Sequence, residues 1–136
     1  MTLYFELLNE SFRKITQEGE AFVESFYQNL FAEAPETRML FSEDMEAQQR
    51  KLLLSLTTII GALDKPDVLN PYLQELGRTH QQYNVTPRYY AVAGRALLKT
   101  LADYFGEDWT PNLQNAWAEA YEAIAKAMLS SYKTIS

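Results

Sequence analysis

The sequence predicts an all-α fold. Apolar residues recur at spacings of three and four along nearly the whole chain, and no stretch alternates convincingly between apolar and polar as a strand does. Glycine and proline number only five each, so few positions interrupt a helix. Three dipeptides place a capping side chain before a proline, which predicts helix starts near residues 71, 87 and 111. These are Asn70-Pro71, Thr86-Pro87 and Thr110-Pro111.

The apolar stripes assign an inward face to each predicted helix, and Pro35 opens a further short segment. In chain order the stripes are Val23, Tyr27, Leu30 and Phe31; Gln48, Leu52, Leu56 and Ile59; Leu73, Leu76 and His80; Tyr90, Leu97, Leu101 and Tyr104; and Leu113, Trp117, Tyr121, Ile124 and Met128. We therefore expect about six to eight helices joined by short loops. No repeat or linker divides them, so residues 1–136 are predicted to form a single domain.

Composition limits the classes of function. The net charge of −6 argues against nucleic acid and anionic lipid as partners, although ordinary solubility also explains it. The amino terminus lacks a basic region followed by an apolar run, so we expect no signal peptide. No apolar run approaches the roughly 20 residues that span a membrane. The absence of cysteine excludes disulfides, thiolate sites and thioether-linked chromophores, and it suits the cytoplasm, where we expect the protein.

His80 is the only histidine of the chain. It ends a stripe of leucines, so its imidazole is expected to be buried. A single buried imidazole, with no thiol and no second imidazole, suits a haem held by histidine from one side. The alternative is a structural histidine whose hydrogen bonds are satisfied within the core. The sequence shows no carboxylate pair, phosphate loop or Ser-His-Asp set that would indicate another chemistry.

Several segments resemble a globin. The first is FYQNLFAEAP at residues 26–35, after which Pro35 and Phe41 have the spacing of the proline that opens the globin C helix and the phenylalanine that stacks on the porphyrin. QQRKL at residues 48–52 is similar to the distal part of the globin E helix. LGRTH at residues 76–80 resembles the proximal F helix. The resemblance runs from about residue 3 to 130 and is nearest to bacterial single-domain globins, flavohaemoglobin domains and neuroglobins.

The resemblance implies a haem site with the following residues. His80 would bind the iron through Nε2, with its other ring nitrogen held by the Leu76 carbonyl. Phe41 would pack on the porphyrin. Tyr27 and Gln48 would be the distal hydrogen-bond donors. Val85 would mark the exit of the proximal helix and Leu52 would face the haem, and this favours Gln48 over its neighbour Gln49 as the inward residue.

Two further residues have open roles. Lys51 is either solvated, paired with a haem propionate or, less expectedly, an iron ligand. In flavohaemoglobin-like globins, a tyrosine at the place of Tyr90 joins a proximal glutamate behind the histidine. The matching residues here, 130–134, contain no carboxylate, and no flavin or nicotinamide domain follows them. A self-sufficient NO dioxygenase is therefore not expected.

The resemblance implies a haem b protein that binds O₂, NO and CO reversibly, as a monomer or weak dimer. Since no second histidine exists, the ferrous iron should be five-coordinate. An alternative is an NO dioxygenase or nitrite reductase that uses the same haem with a separate reductase. A further alternative, a globin-fold interaction module without haem, is disfavoured by His80 and the polar distal pair. A sensor is also disfavoured, because no output domain is attached.

Overall fold

The computed structural model describes residues 2–133, with side chains from Tyr4 onward. It contains six α-helices in this range and no strand, which confirms the predicted all-α class. The helices are α1 (Thr2–Thr16), α2 (Gly19–Glu33), α3 (Met45–Gly61), α4 (Pro66–Gln82), α5 (Pro87–Phe105) and α6 (Pro111–Leu129). Short 3₁₀ helices cover Pro35–Leu40 and Gly106–Asp108.

The Thr-Pro dipeptides mark helix starts as predicted, and the Asn-Pro dipeptide does not. Proline opens α5 and α6, and the Thr110 hydroxyl caps α6 by accepting from the backbone N–H of Leu113 at 3.1 Å. The predicted start at residue 71 is wrong, because α4 begins at Pro66 and contains Pro71. Pro71 is inside the helix, where its missing N–H removes the bond that an ordinary residue would make to the Asp67 carbonyl, and the helix continues through it in spite of this loss.

The core forms where the predicted stripes meet. α2 packs chiefly on α5, α4 packs chiefly on α6, and α3 packs on α2. Most of the stripe residues are buried, among them Val23 and Leu101. Where tryptophan enters the core its polar atom is satisfied: the Trp117 indole N–H donates to the Ser11 hydroxyl at 2.9 Å and joins α6 to α1. No helix in the described residues is both long and apolar enough to cross a membrane.

Candidate functional site

His80 lies in the last turn of α4, half-buried and with a defined proton position. Its Nδ1 is 2.8 Å from the carbonyl oxygen of Leu76, the contact expected from the sequence. A carbonyl can only accept, so Nδ1 carries the proton and Nε2 of the neutral ring keeps a free lone pair. Burial lowers the pKa of His80, and the hydrogen bond to Leu76 opposes this only in part. The imidazole is therefore neutral at pH 7 and able to bind a metal through Nε2.

The ring of Tyr90 lies beside this imidazole and connects it to a second tyrosine, Tyr132. The ring of Tyr90 is 6.0 Å from that of His80, measured between centroids. The hydroxyl of Tyr132 donates to the carbonyl of Val85 at 2.7 Å. The hydroxyl oxygens of Tyr132 and Tyr90 are 2.9 Å apart. Tyr132 has one hydroxyl proton and uses it in the hydrogen bond to Val85. In the contact between the two hydroxyls, Tyr90 must therefore be the donor and Tyr132 the acceptor. Burial, reinforced by Tyr132, raises the pKa of Tyr90 and keeps it protonated.

A second group of polar side chains joins α2 to α3. The Gln48 amide N–H₂ donates to the Tyr27 hydroxyl at 3.1 Å. Because that oxygen accepts from Gln48, the proton of Tyr27 remains available to another acceptor. Burial raises the pKa of Tyr27 by more than Gln48 lowers it, so the hydroxyl stays protonated. Gln49 instead lines a separate groove with Glu20 and Arg50. The inward residue is therefore Gln48, as the position of Leu52 indicated.

Phe41 completes this second group from the end of the Pro35–Leu40 helix. Its ring meets that of Tyr27 edge to face, with centroids 5.4 Å apart and planes at 78°. The ring of Phe31 lies 6.0 Å from the ring of Phe41, measured between centroids. The segment is held by Arg38, whose guanidinium donates to the carbonyl of Phe41 at 3.2 Å. Leu52 packs partly buried against the same apolar cluster.

The predicted residues thus form two sets. The imidazole set comprises Leu76, His80, Val85, Tyr90 and the unpredicted Tyr132; the hydroxyl–amide set comprises Tyr27, Phe41, Gln48 and Leu52. Leu63, in the turn after α3, packs against the apolar cluster that contains Tyr27 and against the one that contains Tyr90. Lys51 belongs to neither set: it is exposed and makes no ion pair with any side chain that the structure describes.

Tyr132 is the residue that sequence reasoning missed. Residues 130–133 contain no carboxylate, and it is the hydroxyl of Tyr132 that contacts the hydroxyl of Tyr90; Thr134 lies outside the described residues. A signal was available, because Tyr132 follows Met128 by four residues and so continues the last apolar stripe. The stripe alone could not show that its hydroxyl meets Tyr90.

The donor set suits a metal that brings most of its own ligands. Among residues 4–133, no group of three or more His, Asp or Glu side chains could hold a metal ion. One imidazole Nε2 is the protein ligand that this site offers. A macrocycle supplies the equatorial ligands itself and needs only one axial histidine, so the residues fit haem and do not fit a protein-ligated ion.

An all-α fold with one metal-competent imidazole in the last turn of α4, and with a hydroxyl–amide pair that joins α2 to α3, has the features of a helical haem protein such as a globin. Residues 24–128 match the family model described as "Globin", and the chain belongs to this family. Family membership implies haem binding.

Relatives and solved structures agree with this assignment. A bacterial globin from Campylobacter jejuni has a TM-score of 0.84 at 19% identity, covering 96% of this chain and 95% of its own, which confirms the globin fold. A flavohemoprotein of Bacillus subtilis is 26% identical over 94% of this chain, which spans only 33% of that relative's length. The anaerobic nitrite reductase NSHB5 of Oryza sativa subsp. japonica is 28% identical over 94% of this chain and 92% of its own.

Proposed function

We propose that this protein binds one haem b noncovalently through His80 and uses it to bind O₂ and related small ligands reversibly. The observation that carries the proposal is the hydrogen bond between Nδ1 of His80 and the Leu76 carbonyl. It places the proton on Nδ1 and presents Nε2 as a neutral ligand. The bound haem would supply an iron with a free sixth position for O₂, NO or CO. The absence of cysteine excludes thioether attachment and supports haem b.

The surrounding side chains fit the haem in complementary roles. Leu52, Leu76 and Val85 are partly buried and would provide apolar contacts from the α3 and α4 sides. Phe41 would pack on the porphyrin from the end of the Pro35–Leu40 helix. Lys51, exposed one residue before Leu52, would pair with a propionate at the protein surface.

The hydroxyl–amide set would act on the ligand side of the iron. Bound O₂ has partial negative charge and accepts hydrogen bonds. Tyr27 has a proton free for such an acceptor, because its oxygen already accepts from Gln48. Gln48 would therefore orient Tyr27 and offer its second amide proton to the same ligand.

Replacement of His80 tests the proposal directly. The purified wild type should contain one haem per chain and show a five-coordinate ferrous spectrum. His80→Ala should lose haem or hold it weakly, and added imidazole should restore the spectrum by occupying the vacated position. Stable, stoichiometric haem with an unchanged spectrum in His80→Ala would overturn the proposal.

The second candidate is catalysis by the same haem with electrons from a separate donor. The specific observation is the match over 92% of a relative named as an anaerobic nitrite reductase. The flavohemoproteins match over about a third of their length, which leaves the greater part of those relatives without a counterpart in this chain. Nitrite consumption, or NO consumption in the presence of O₂, should be measured under a chemical reductant. Reversible O₂ binding without either turnover would reject this candidate and retain the first.

A further inference from the structure

Tyr132 belongs to a closed circuit of contacts around His80. The backbone N–H of Val85 donates to the carbonyl of His80 at 3.1 Å. The carbonyl of Val85 accepts from Tyr132, and Tyr132 accepts from Tyr90. The ring of Tyr90 then lies against the imidazole. The circuit therefore begins at the backbone of His80 and ends at its side chain.

The circuit holds a part of the chain that would otherwise be weakly restrained. His80 lies in the last turn of α4, where carbonyls lack partners within the helix and the end frays. The turn that follows is short, and Asn84 in it adopts a left-handed backbone with φ of 66°. The bond from Nδ1 to the Leu76 carbonyl holds one edge of the imidazole, and the contact with the Tyr90 ring is a second restraint on its orientation.

The segment after α6 that carries Tyr132 also holds α4 at a second point beside His80. The Gln81 amide donates to the carbonyl of Lys133 at 2.9 Å and accepts from its backbone N–H at 3.0 Å. Residues 132 and 133 thus restrain the chain immediately after His80 in two places. The Gln81 pair is exposed and competes with water, whereas the hydroxyls of Tyr132 and Tyr90 are partly or fully shielded. The hydroxyl pair should therefore provide more of the restraint.

We propose that Tyr132 is a positioning residue for His80: through Val85 and Tyr90 it fixes the orientation of the imidazole and thereby the strength of the bond between His80 and iron. This inference rests on the proposed haem ligation by His80. Tyr132 itself would touch neither the iron nor the haem. It acts because removal of its hydroxyl frees the Val85 carbonyl and leaves the buried Tyr90 proton without an acceptor.

Tyr132→Phe tests the role while keeping the aromatic ring, which packs edge to face on Tyr90 with centroids 6.0 Å apart. The measurement is the iron–histidine stretching band of the ferrous protein in resonance Raman spectra. We expect this band to shift and broaden, since the imidazole samples more orientations. Haem transfer to an excess of apomyoglobin should be about fivefold faster, the effect of losing one neutral hydrogen bond of about 1 kcal/mol.

Tyr121→Phe is the matched control. Its hydroxyl donates to the backbone carbonyl of Tyr90 at 2.6 Å. Like Tyr132 it therefore forms a tyrosine–carbonyl bond, but its hydroxyl is not part of the circuit. It should lower stability comparably and leave the iron–histidine band in place. A band moved equally by both variants would reduce Tyr132 to a structural role and overturn the inference.

Tyr90→Phe supplies a second test if Tyr132→Phe folds poorly. It removes the other hydroxyl and keeps the bond from Tyr132 to Val85, so the band should shift in the same direction by less. An iron–histidine band unchanged in every folded circuit variant overturns the inference. That result leaves the proposed function intact, because wild type would still show the band and His80→Ala would still lose haem.

Discussion

At the scale of single residues, the hydrogen bond between Gln48 and Tyr27 decides what each can do. The amide nitrogen of Gln48 can only donate, so the Tyr27 oxygen must accept. Because this hydrogen bond uses the oxygen of Tyr27 and not its proton, the proton can be donated to a bound ligand. Burial, which raises the pKa of Tyr27, preserves this proton at neutral pH. Tyr27 is therefore expected to be the principal donor to a bound ligand, with Gln48 orienting it.

Tyr27→Phe should speed O₂ release by roughly ten- to a hundredfold, because a hydrogen bond to a charged acceptor contributes roughly 1.5–3 kcal/mol. CO, which is much less polar when bound, should respond far less. Stopped-flow O₂ and CO dissociation measures both rates. Gln48→Leu should also speed O₂ release.

Gln49→Leu is the control for this series, since Gln49 is the adjacent glutamine and lines a different groove. Its O₂ release should equal that of wild type. If Tyr27→Phe releases O₂ within about twofold of wild type, the hydroxyl contributes less than about 0.5 kcal/mol. Tyr27 would then be a core aromatic residue and Gln48 the sole distal donor.

At the scale of elements, the position of His80 depends on how closely α4 approaches α6. Gly77, one turn before His80, permits this approach: a Cβ there would collide with the backbone carbonyl oxygen of Met128 and with the Ser131 hydroxyl. The backbone of α6 cannot move aside as a flexible side chain would. Glycine at this position thus serves close packing between helices, at the cost of weaker helix propensity.

Gly77→Ala should lower the free energy of unfolding by about 1–3 kcal/mol, the usual effect of overpacking a tight contact. Because the added methyl pushes α4 away from α6, the variant should also hold haem less firmly. Urea unfolding and haem transfer measure the two effects. Gly61→Ala is the control, since a Cβ there meets nothing within 4 Å, and its stability should equal or slightly exceed that of wild type. Equal stability of the two variants would show that α4 and α6 can separate without cost.

At the scale of the whole molecule, four tyrosines in and around the candidate site are buried or half-buried. Burial raises the pKa of Tyr27, Tyr90, Tyr121 and Tyr132 above the ordinary value of 10.0. In the unfolded chain these groups would lose their protons near pH 10, whereas the folded protein retains them to higher pH. The folded state therefore binds more protons above that pH, and its stability decreases as pH rises.

The free energy of unfolding should accordingly be constant with respect to these tyrosines below about pH 10 and fall above it. Denaturant unfolding between about pH 8 and pH 11 measures the slope. Tyr121→Phe removes one such group, whose pKa is raised by burial alone, so its stability should fall less steeply above about pH 10. An identical slope in that variant would mean that Tyr121 ionises equally in the folded and unfolded states.

The globin fold and several contacts within the candidate site could be predicted because periodicity and spacing are local properties. The three-and-four spacing of apolar residues assigns helices and their inward faces, and Thr-Pro pairs mark the starts of α5 and α6. Leu52, one turn after Gln48, correctly indicated which glutamine faces Tyr27. The predicted start of α4 was wrong because Pro66 opens this helix and Pro71 lies inside it, so a proline after a capping residue does not always mark a helix start.

By itself the sequence determined the helical class, the single histidine and its acceptor one turn back at Leu76, since these depend on composition and on contacts within one helix. Only the tertiary structure decided that Tyr132 meets Tyr90, because these residues are 42 positions apart and belong to segments brought together by packing. The direction of their hydrogen bond also depends on the tertiary structure, because Tyr132 donates its hydroxyl proton to the carbonyl of Val85. Long-range hydroxyl contacts leave no periodic signal, since one side chain can meet many others across a core.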